Sequence, residues 1–216
     1  MEAQEHIISP ETEDQTRRGV NDKQGGFNKY RCLVRSDLYR HTAKTGFGVF
    51  LKGIMLNPGF QYTFWMRTCA YTRQNRIFKF VLFPIARVIL NHYIFKYGID
   101  IPFQTQIGSG FFIGHIGGIV VNGNAVIGKN CNISHGVTLG ESNRGKRKGY
   151  PVIGDHVYIG PGAMIVGSVR IGNHAAIGAN CVVTKDVPDQ AVVVGVPAKI
   201  ISYEGSRGYI NKVDYE

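Results

Sequence analysis

The sequence predicts a mainly β chain, a left-handed parallel β-helix with a small N-terminal helical region ahead of it. Three observations predict it. Aliphatic residues recur every six positions between residues 98 and 200. A small or β-branched residue follows most of them four positions later. Most of the 28 glycines lie after Gly98, interleaved with those aliphatics, which marks a repetitive, turn-rich half rather than disorder.

In chain order, residues 1–27 are polar, charged and glycine-punctuated, and read as a flexible acidic tail. Residues 28–97 read as helical. Phe47, Phe50, Leu51, Ile54 and Met55 fall on one helix face, Asn57-Pro58-Gly59 is a break, and a helix is expected around Phe60–Arg73. A third apolar segment runs from Ile77 to Phe95. Lys79, Pro84, Arg87, Asn91 and His92 interrupt it, so a membrane span is not expected. With flanking Arg73, Arg76 and Lys96 it suits a membrane surface, and residues 47–97 are the candidate peripheral contact. The favoured reading is that these apolar faces pack on each other and on the β-helix.

The repeat itself occupies residues 98–200. One phase holds Ile107 and Ile113, a second Val121, Ile127, Ile133 and Leu139, and a third Ile153, Ile159, Ile165, Ile171, Ile177 and Val183. Three six-residue sides close a triangular coil of about eighteen residues. The aliphatic residue points inward, the smaller one (Ala125, Cys131, Val137, Val157, Ala163, Val169, Ala175, Cys181) fits near a corner, and glycines accommodate the bends. The phase slips at His115–Val121 and at Glu141–Val152, and slips in a solenoid are loops, where chemistry is first sought. Residues 201–216 read as a C-terminal tail.

The formal charge is +10, and the first sixteen residues hold five acids with no Lys or Arg, leaving the remainder at +15. A basic body suits a phosphorylated cofactor, an acidic glycan or a membrane surface. No nucleic-acid-binding signature accompanies it, so nucleic acid is not an expected partner. The four cysteines show no CxxC spacing and read as free thiols, with Cys131 and Cys181 buried. The polar, acidic N-terminus does not look like a signal peptide, and the expected location is cytoplasmic, with membrane-peripheral contact open.

His115 lies in the first slip, in Gly-His-Ile-Gly-Gly, and imidazole is the side chain best suited to take a hydroxyl proton near neutral pH. Asp100 precedes it by fifteen residues, a little less than one coil, a spacing that can bring the carboxylate beneath the ring to fix its tautomer. His135 follows by twenty residues and is an acceptor-binding candidate. Arg144, Lys146, Arg147 and Lys148 make the second slip a basic loop, able to neutralise phosphates or close over a pocket, or simply a solvated charge run.

The motifs IDIP (99–102), IGSGFFIGHIGGIVVNGNAVIG (107–128), ISHGVTLG (133–140) and GVPAKII (195–201) resemble the hexapeptide-repeat acyltransferases, closest to the serine acetyltransferases and their relatives that acetylate bacterial surface polysaccharides. The stretches RSDLYRHT (35–42) and LNPGFQYTFWMR (56–67) resemble the polysaccharide group more. The resemblance implies acetyl-CoA as co-substrate with no metal, a homotrimer with active sites between subunits, and direct transfer with His115 as base, paired with Asp100. It also implies coenzyme A along the coils at Gly140, Gly160, Pro161, Gly178 and Ala179, with Lys185 and Lys199 near its phosphates.

This chain departs from the serine enzymes at two substrate-holding positions. Gly114 stands where they carry Asp before the catalytic His, and Gly149-Tyr150 stands where they carry Arg-His. The resulting expectation is an acceptor other than serine, a sugar hydroxyl in capsule, exopolysaccharide or lipopolysaccharide biosynthesis, with His135 and Tyr150 binding it. The alternative is serine O-acetylation in cysteine biosynthesis, and the non-enzymatic alternative is a structural β-helix that assembles partners. A zinc-dependent carbonic anhydrase on the same architecture needs two histidines five residues apart, and the seven histidines here hold no such pair.

Overall fold

A computed structural model of the chain describes residues 26–215. Four helices come first: α1 (Gly26–Thr42), α2 (Phe47–Leu56), α3 (Pro58–Gln74) and α4 (Leu82–Tyr97). The expected tail, residues 1–27, lies outside the described residues except for Gly26 and Phe27, which open α1. The Asn57-Pro58-Gly59 break is also a helix start. The Asn57 side chain accepts from the Phe60 amide (3.0 Å) and Pro58 takes the first helical position, where no amide hydrogen is needed. Gly98, in the left-handed conformation (φ 59°), closes α4 and feeds straight into the first strand.

The rest is a three-sided prism. Side one stacks β1 (Ile99–Asp100), β4 (Ile119–Val121), β7 (Thr138–Gly140), β10 (Met164–Val166) and β13 (Val182–Val183). Side two stacks β2 (Gln106–Ile107), β5 (Val126–Ile127), β8 (Val152–Ile153) and β11 (Arg170–Ile171). Side three stacks β3 (Phe112–Ile113), β6 (Asn132–Ile133), β9 (Tyr158–Ile159), β12 (Ala176–Ile177) and β14 (Val192–Val194), capped by β15 (Lys199–Ser202), which runs antiparallel. Every strand before β15 pairs in parallel, three elements on for most of the prism, which is the signature of a β-helix, here left-handed. The inward aliphatics and the smaller residues four positions on are buried as the repeat requires.

The register dates the slips. Ile113 pairs with Ile133, twenty residues on; Ile133 with Ile159, twenty-six on; Ile159 with Ile177, eighteen on. The first excess is the two-residue insertion around His115, and the second is the loop at 141–150. The last turn is short: Ile177 pairs with Val193, only sixteen residues on.

The bends are not where the glycine pattern suggested. The glycine after each aliphatic residue keeps space for the next coil. A Cβ on Gly128 would sit 2.5 Å from the Gly154 carbonyl oxygen, and one on Gly160 2.8 Å from that of Ile177. The left-handed turn falls two residues later, at Gly110, Asn130, His156 and His174 on one corner and at Gly136, Gly162 and Asn180 on another. Glycine and asparagine tolerate that conformation best.

The helices are fixed to the prism by buried polar contacts. Asp37 of α1 pairs with Arg67 of α3 (3.1 Å) and accepts from the Phe111 amide (2.9 Å). Arg67 donates to the carbonyls of Ile107 and Gly108 (2.6 Å each), and Tyr62 bonds both the amide and the carbonyl of Ile101. The expectation that the helical apolar faces all pack inward is not met. Phe50 and Ile54 pack on a small cluster of Val34, Leu38 and Phe60, but Phe47 and Met55 face solvent, as does the outer side of α4. No helix among the described residues is long and apolar enough to cross a membrane.

The C-terminal segment is a strap, not a free tail. Ser206 donates to the His156 carbonyl (2.6 Å), Tyr209 stacks on Tyr158 (4.2 Å) and Tyr215 donates to Asn130 (2.6 Å). It therefore descends the corner between sides two and three back toward α1. The same corner carries His156 and His174, eighteen residues apart and stacked at 4.7 Å. Cys69, Cys131 and Cys181 are buried and Cys32 is exposed.

Candidate active site

The corner between sides three and one is a column of left-handed residues: Gly98, Gly118, Gly136, Gly162 and Asn180. Successive turns are hydrogen-bonded along it, from the Gly136 amide to the Gly117 carbonyl (2.8 Å), Gly162 to His135 (2.9 Å) and Asn180 to Pro161 (2.8 Å). The close approach explains the glycines, since a Cβ on Gly136 would lie 3.3 Å from Gly162. His135, Pro161 and Ala179 each precede the left-handed residue of their turn, so they stack along one edge. His115 occupies the same edge at the lowest turn, where the two-residue insertion leaves it exposed. Its ring meets that of His135 edge-on, with centroids 5.8 Å apart. Gly160 and Gly178 lie beside this edge.

Of the remaining expected residues Asp100 is the nearest, two residues past Gly98 of this corner, and the others lie on other parts of the prism. Asp100 is exposed on β1, in register with Val120, and forms no ion pair or hydrogen bond with His115 among the described residues. Gly140, Tyr150 and Lys185 lie at the corner between sides one and two. Lys199 lies on the capping strand β15, opposite Val194. The basic loop is held to the coil: Ser142 and Gly149 pair with each other, and Arg147 donates to Asp186 (2.9 Å) and to the Ser168 carbonyl. Asp186 sits below the usual carboxylate range. Its own partial burial works against this, and the Arg170 amide and the Arg147 guanidinium outweigh it. Arg147 is thereby committed, and Arg144, Lys146 and Lys148 remain exposed.

A cleft of about 330 Å³ opens beside His115, between the lowest turn of the prism and the α2–α3 junction, lined by His41, Asn57, Gly59, Phe112, Gly114 and His115 among others. Sequence reasoning assigned no role to His41. Its ring packs on Phe112 (4.6 Å), and its Nε2 is shielded from solvent with no hydrogen-bond partner among the described residues. Burial, reinforced by Arg40 and Lys212, pushes its pKa down to about 3, so the ring is neutral at physiological pH. Neither spacing nor motif links His41 to His115; only the packing of α1 against β3 does. Gly59 forms the wall, where a Cβ would lie 2.3 Å from the Ile113 carbonyl oxygen and 2.7 Å from the His41 ring. Gly59→Ala is therefore expected to push α3 off the lowest turn and to lower the thermal midpoint, read by thermal unfolding.

Stacked hexads on a left-handed prism define a class, that of hexapeptide-repeat β-helical proteins. Residues 150–185 match the family model described as bacterial transferase hexapeptide (six repeats). A serine acetyltransferase of Synechococcus elongatus is 34% identical over 158 residues, 73% of this chain and 62% of the relative. The structure of Neisseria gonorrhoeae serine acetyltransferase in complex with serine is 32% identical and superposes with a TM-score of 0.66 over 81% of this chain and 70% of that one. That of the Brucella abortus enzyme in complex with coenzyme A is 30% identical, with a TM-score of 0.66 over 81% and 68%. The chain belongs to the hexapeptide-repeat transferases, as a serine acetyltransferase-like member. It spans just under two thirds of the Synechococcus relative's length.

These likenesses correct the expected acceptor. The relatives that the chain matches are serine acetyltransferases, so the sugar hydroxyl and the role in surface-polysaccharide biosynthesis do not stand. Gly114 and Gly149-Tyr150 show only that these positions carry no Asp and no Arg-His; they build no sugar site.

Proposed function

We propose that this chain is an acetyl-CoA-dependent serine O-acetyltransferase with His115 as general base. The observation that carries the reading is the exposed histidine of the inserted turn, at the mouth of a cleft, in a chain that matches serine acetyltransferases over 81% of its length. His115 takes the proton of the serine hydroxyl, the oxygen attacks the thioester carbonyl, and the coenzyme A thiolate leaves and is protonated. Coenzyme A runs up the edge of His135, Gly160, Pro161, Gly178 and Ala179, where the small residues let it approach the backbone.

His41 belongs to the acceptor side of this reading. Its neutral imidazole lines the cleft and packs on Phe112, so it shapes the wall that serine meets. Asp100, on β1 two residues past Gly98 of the corner that holds His115, is the candidate partner of that base in the same chain, whereas Gly140, Tyr150, Lys185 and Lys199 complete the site only if copies associate. The corner holding Tyr150 and Lys185 is a different one from the corner holding His115, so a homotrimer that sets one copy's corner against the next supplies them in trans.

The test is acetylation of L-serine by the purified full chain, followed by free thiol release and by mass detection of O-acetylserine. Turnover is expected, and His41→Leu is expected to raise the serine KM several-fold with the acetyl-CoA KM unchanged, because it alters the cleft wall and leaves the coenzyme edge untouched. Hydrolysis of acetyl-CoA with no O-acetylserine at any serine concentration would overturn the assignment.

A further inference from the structure

The outer face of α4 and the turn before it carry apolar side chains that none of the described residues covers. Ile77, Phe80, Val88 and Phe95 are each at least 70% exposed, and Val81, Leu82 and Ile85 are exposed as well. Val81, Ile85, Val88, His92 and Phe95 follow one another at steps of four and three, which places them on one helical stripe. The inward-packing residues, Ala86, Leu90 and Tyr97, occupy the opposite side. The helix is thus apolar toward the core and apolar toward solvent, with Arg87, Asn91 and Lys96 also exposed along it.

Charge says what this face fits. From Leu38 to Ile99 the chain has no Asp or Glu and nine Lys or Arg. Arg40 and Arg67 are used inside, on backbone carbonyls of the lowest turn and on Asp37. The other basic residues, Arg73, Arg76, Lys79, Arg87 and Lys96 among them, stay at or near the surface around the stripe. Lys79 and Lys96 hold their ammonium groups 5.6 and 5.7 Å from the rings of Phe80 and Tyr93, so charge and aromatic surface are presented together.

We propose that this face seats on an anionic lipid surface, with the Ile77–Phe95 stripe in the headgroup layer and the basic residues against lipid phosphates. A two-fold contact between copies through this stripe is the weaker fit, since it sets the Leu38–Ile99 surface, which holds no Asp or Glu, against itself. Lipid supplies the missing negative charge, and each basic residue held at such a surface strengthens binding about fivefold. The helix lies on the surface instead of spanning, since it has 16 residues and none of the described helices is long and apolar enough to cross. The inference does not depend on the acceptor assigned above.

The test is co-sedimentation of the full chain with phosphatidylcholine vesicles, with and without phosphatidylglycerol, at low and high salt. Binding is expected only to the anionic vesicles and is expected to weaken with salt. Arg76→Glu/Lys79→Glu should lower it more than about twentyfold, and Val88→Asp/Phe95→Asp should abolish it. Both variants are expected to keep the thermal midpoint and the acetyl transfer rate in solution, because the changed side chains are at the surface and away from His115. Equal binding to both vesicle types, or to neither, overturns the proposal. So does a concentration-dependent doubling of mass, read by light scattering, that Val88→Asp/Phe95→Asp removes while vesicle binding is absent.

Discussion

Replacing His115 with alanine is expected to lower acetyl transfer by about 10²–10⁴-fold, the usual loss for a general base, with no change in fold. The structural half of that expectation follows from where the residue sits. The insertion that leaves His115 exposed also removes it from the hexad positions that hold the prism together, and it makes no hydrogen bond or ion pair among the described residues. Its one ring neighbour is His135, edge-on at 5.8 Å. The inward residues on either side, Ile113 and Ile119, remain buried in their ladders. Truncation therefore removes a proton acceptor and little else, so the thermal midpoint should move by no more than a surface substitution does. Thiol release from acetyl-CoA in the presence of serine measures the first effect, and thermal unfolding by circular dichroism the second. Full activity in the alanine variant would remove His115 from the chemistry and return attention to His135 or His41.

The prism was legible in the sequence because its inward position admits only one kind of residue. A side chain stacked between its equivalents above and below must be aliphatic, so Ile153, Ile159, Ile165, Ile171 and Ile177 repeat without interruption and state the period directly. The slips were legible for the same reason: a period this strict shows any departure from it. The shortened last turn escaped because Val183, Val187 and Val193 are all buried valines and conceal a missing pair of residues. The bends were misplaced because glycine serves two needs here. Close stacking demands it after the aliphatic residue, and the left-handed turn favours it two residues later, where asparagine and histidine also serve. The helical layer was least legible. Its outer apolar face looks in sequence like any packing face, and the meeting of His41 with the His115 loop depends on helix placement that no local pattern encodes. The C-terminal strap is held by Ser206, Tyr209 and Tyr215, residues that carry no periodicity.

Replacing Asp37 with alanine is expected to destabilise the protein by about 3–5 kcal/mol, the cost of leaving one member of a buried ion pair behind. Asp37 and Arg67 are 1% and 6% exposed, so almost no water reaches either to compensate for the loss of the other. The guanidinium keeps two partners, the carbonyls of Ile107 and Gly108, but these are dipoles and do not balance its charge. The Phe111 amide is orphaned at the same time, which adds an unpaired buried donor. The consequence extends beyond local stability, because these bonds join α1 and α3 to residues 107–111 of the lowest turn, and His41 lies on the same helix as Asp37, four residues on. Loosening that seam opens the cleft wall beside His115, so the serine KM should rise along with the loss of stability. The double variant Asp37→Leu/Arg67→Met separates charge from packing. It removes both ions and fills the volume with apolar side chains, and it should cost less than Asp37→Ala alone. Denaturant unfolding at matched protein concentration measures both variants. A double variant less stable than the sum of its two single changes would show that the pair contributes through shape rather than through the compensation of buried charge.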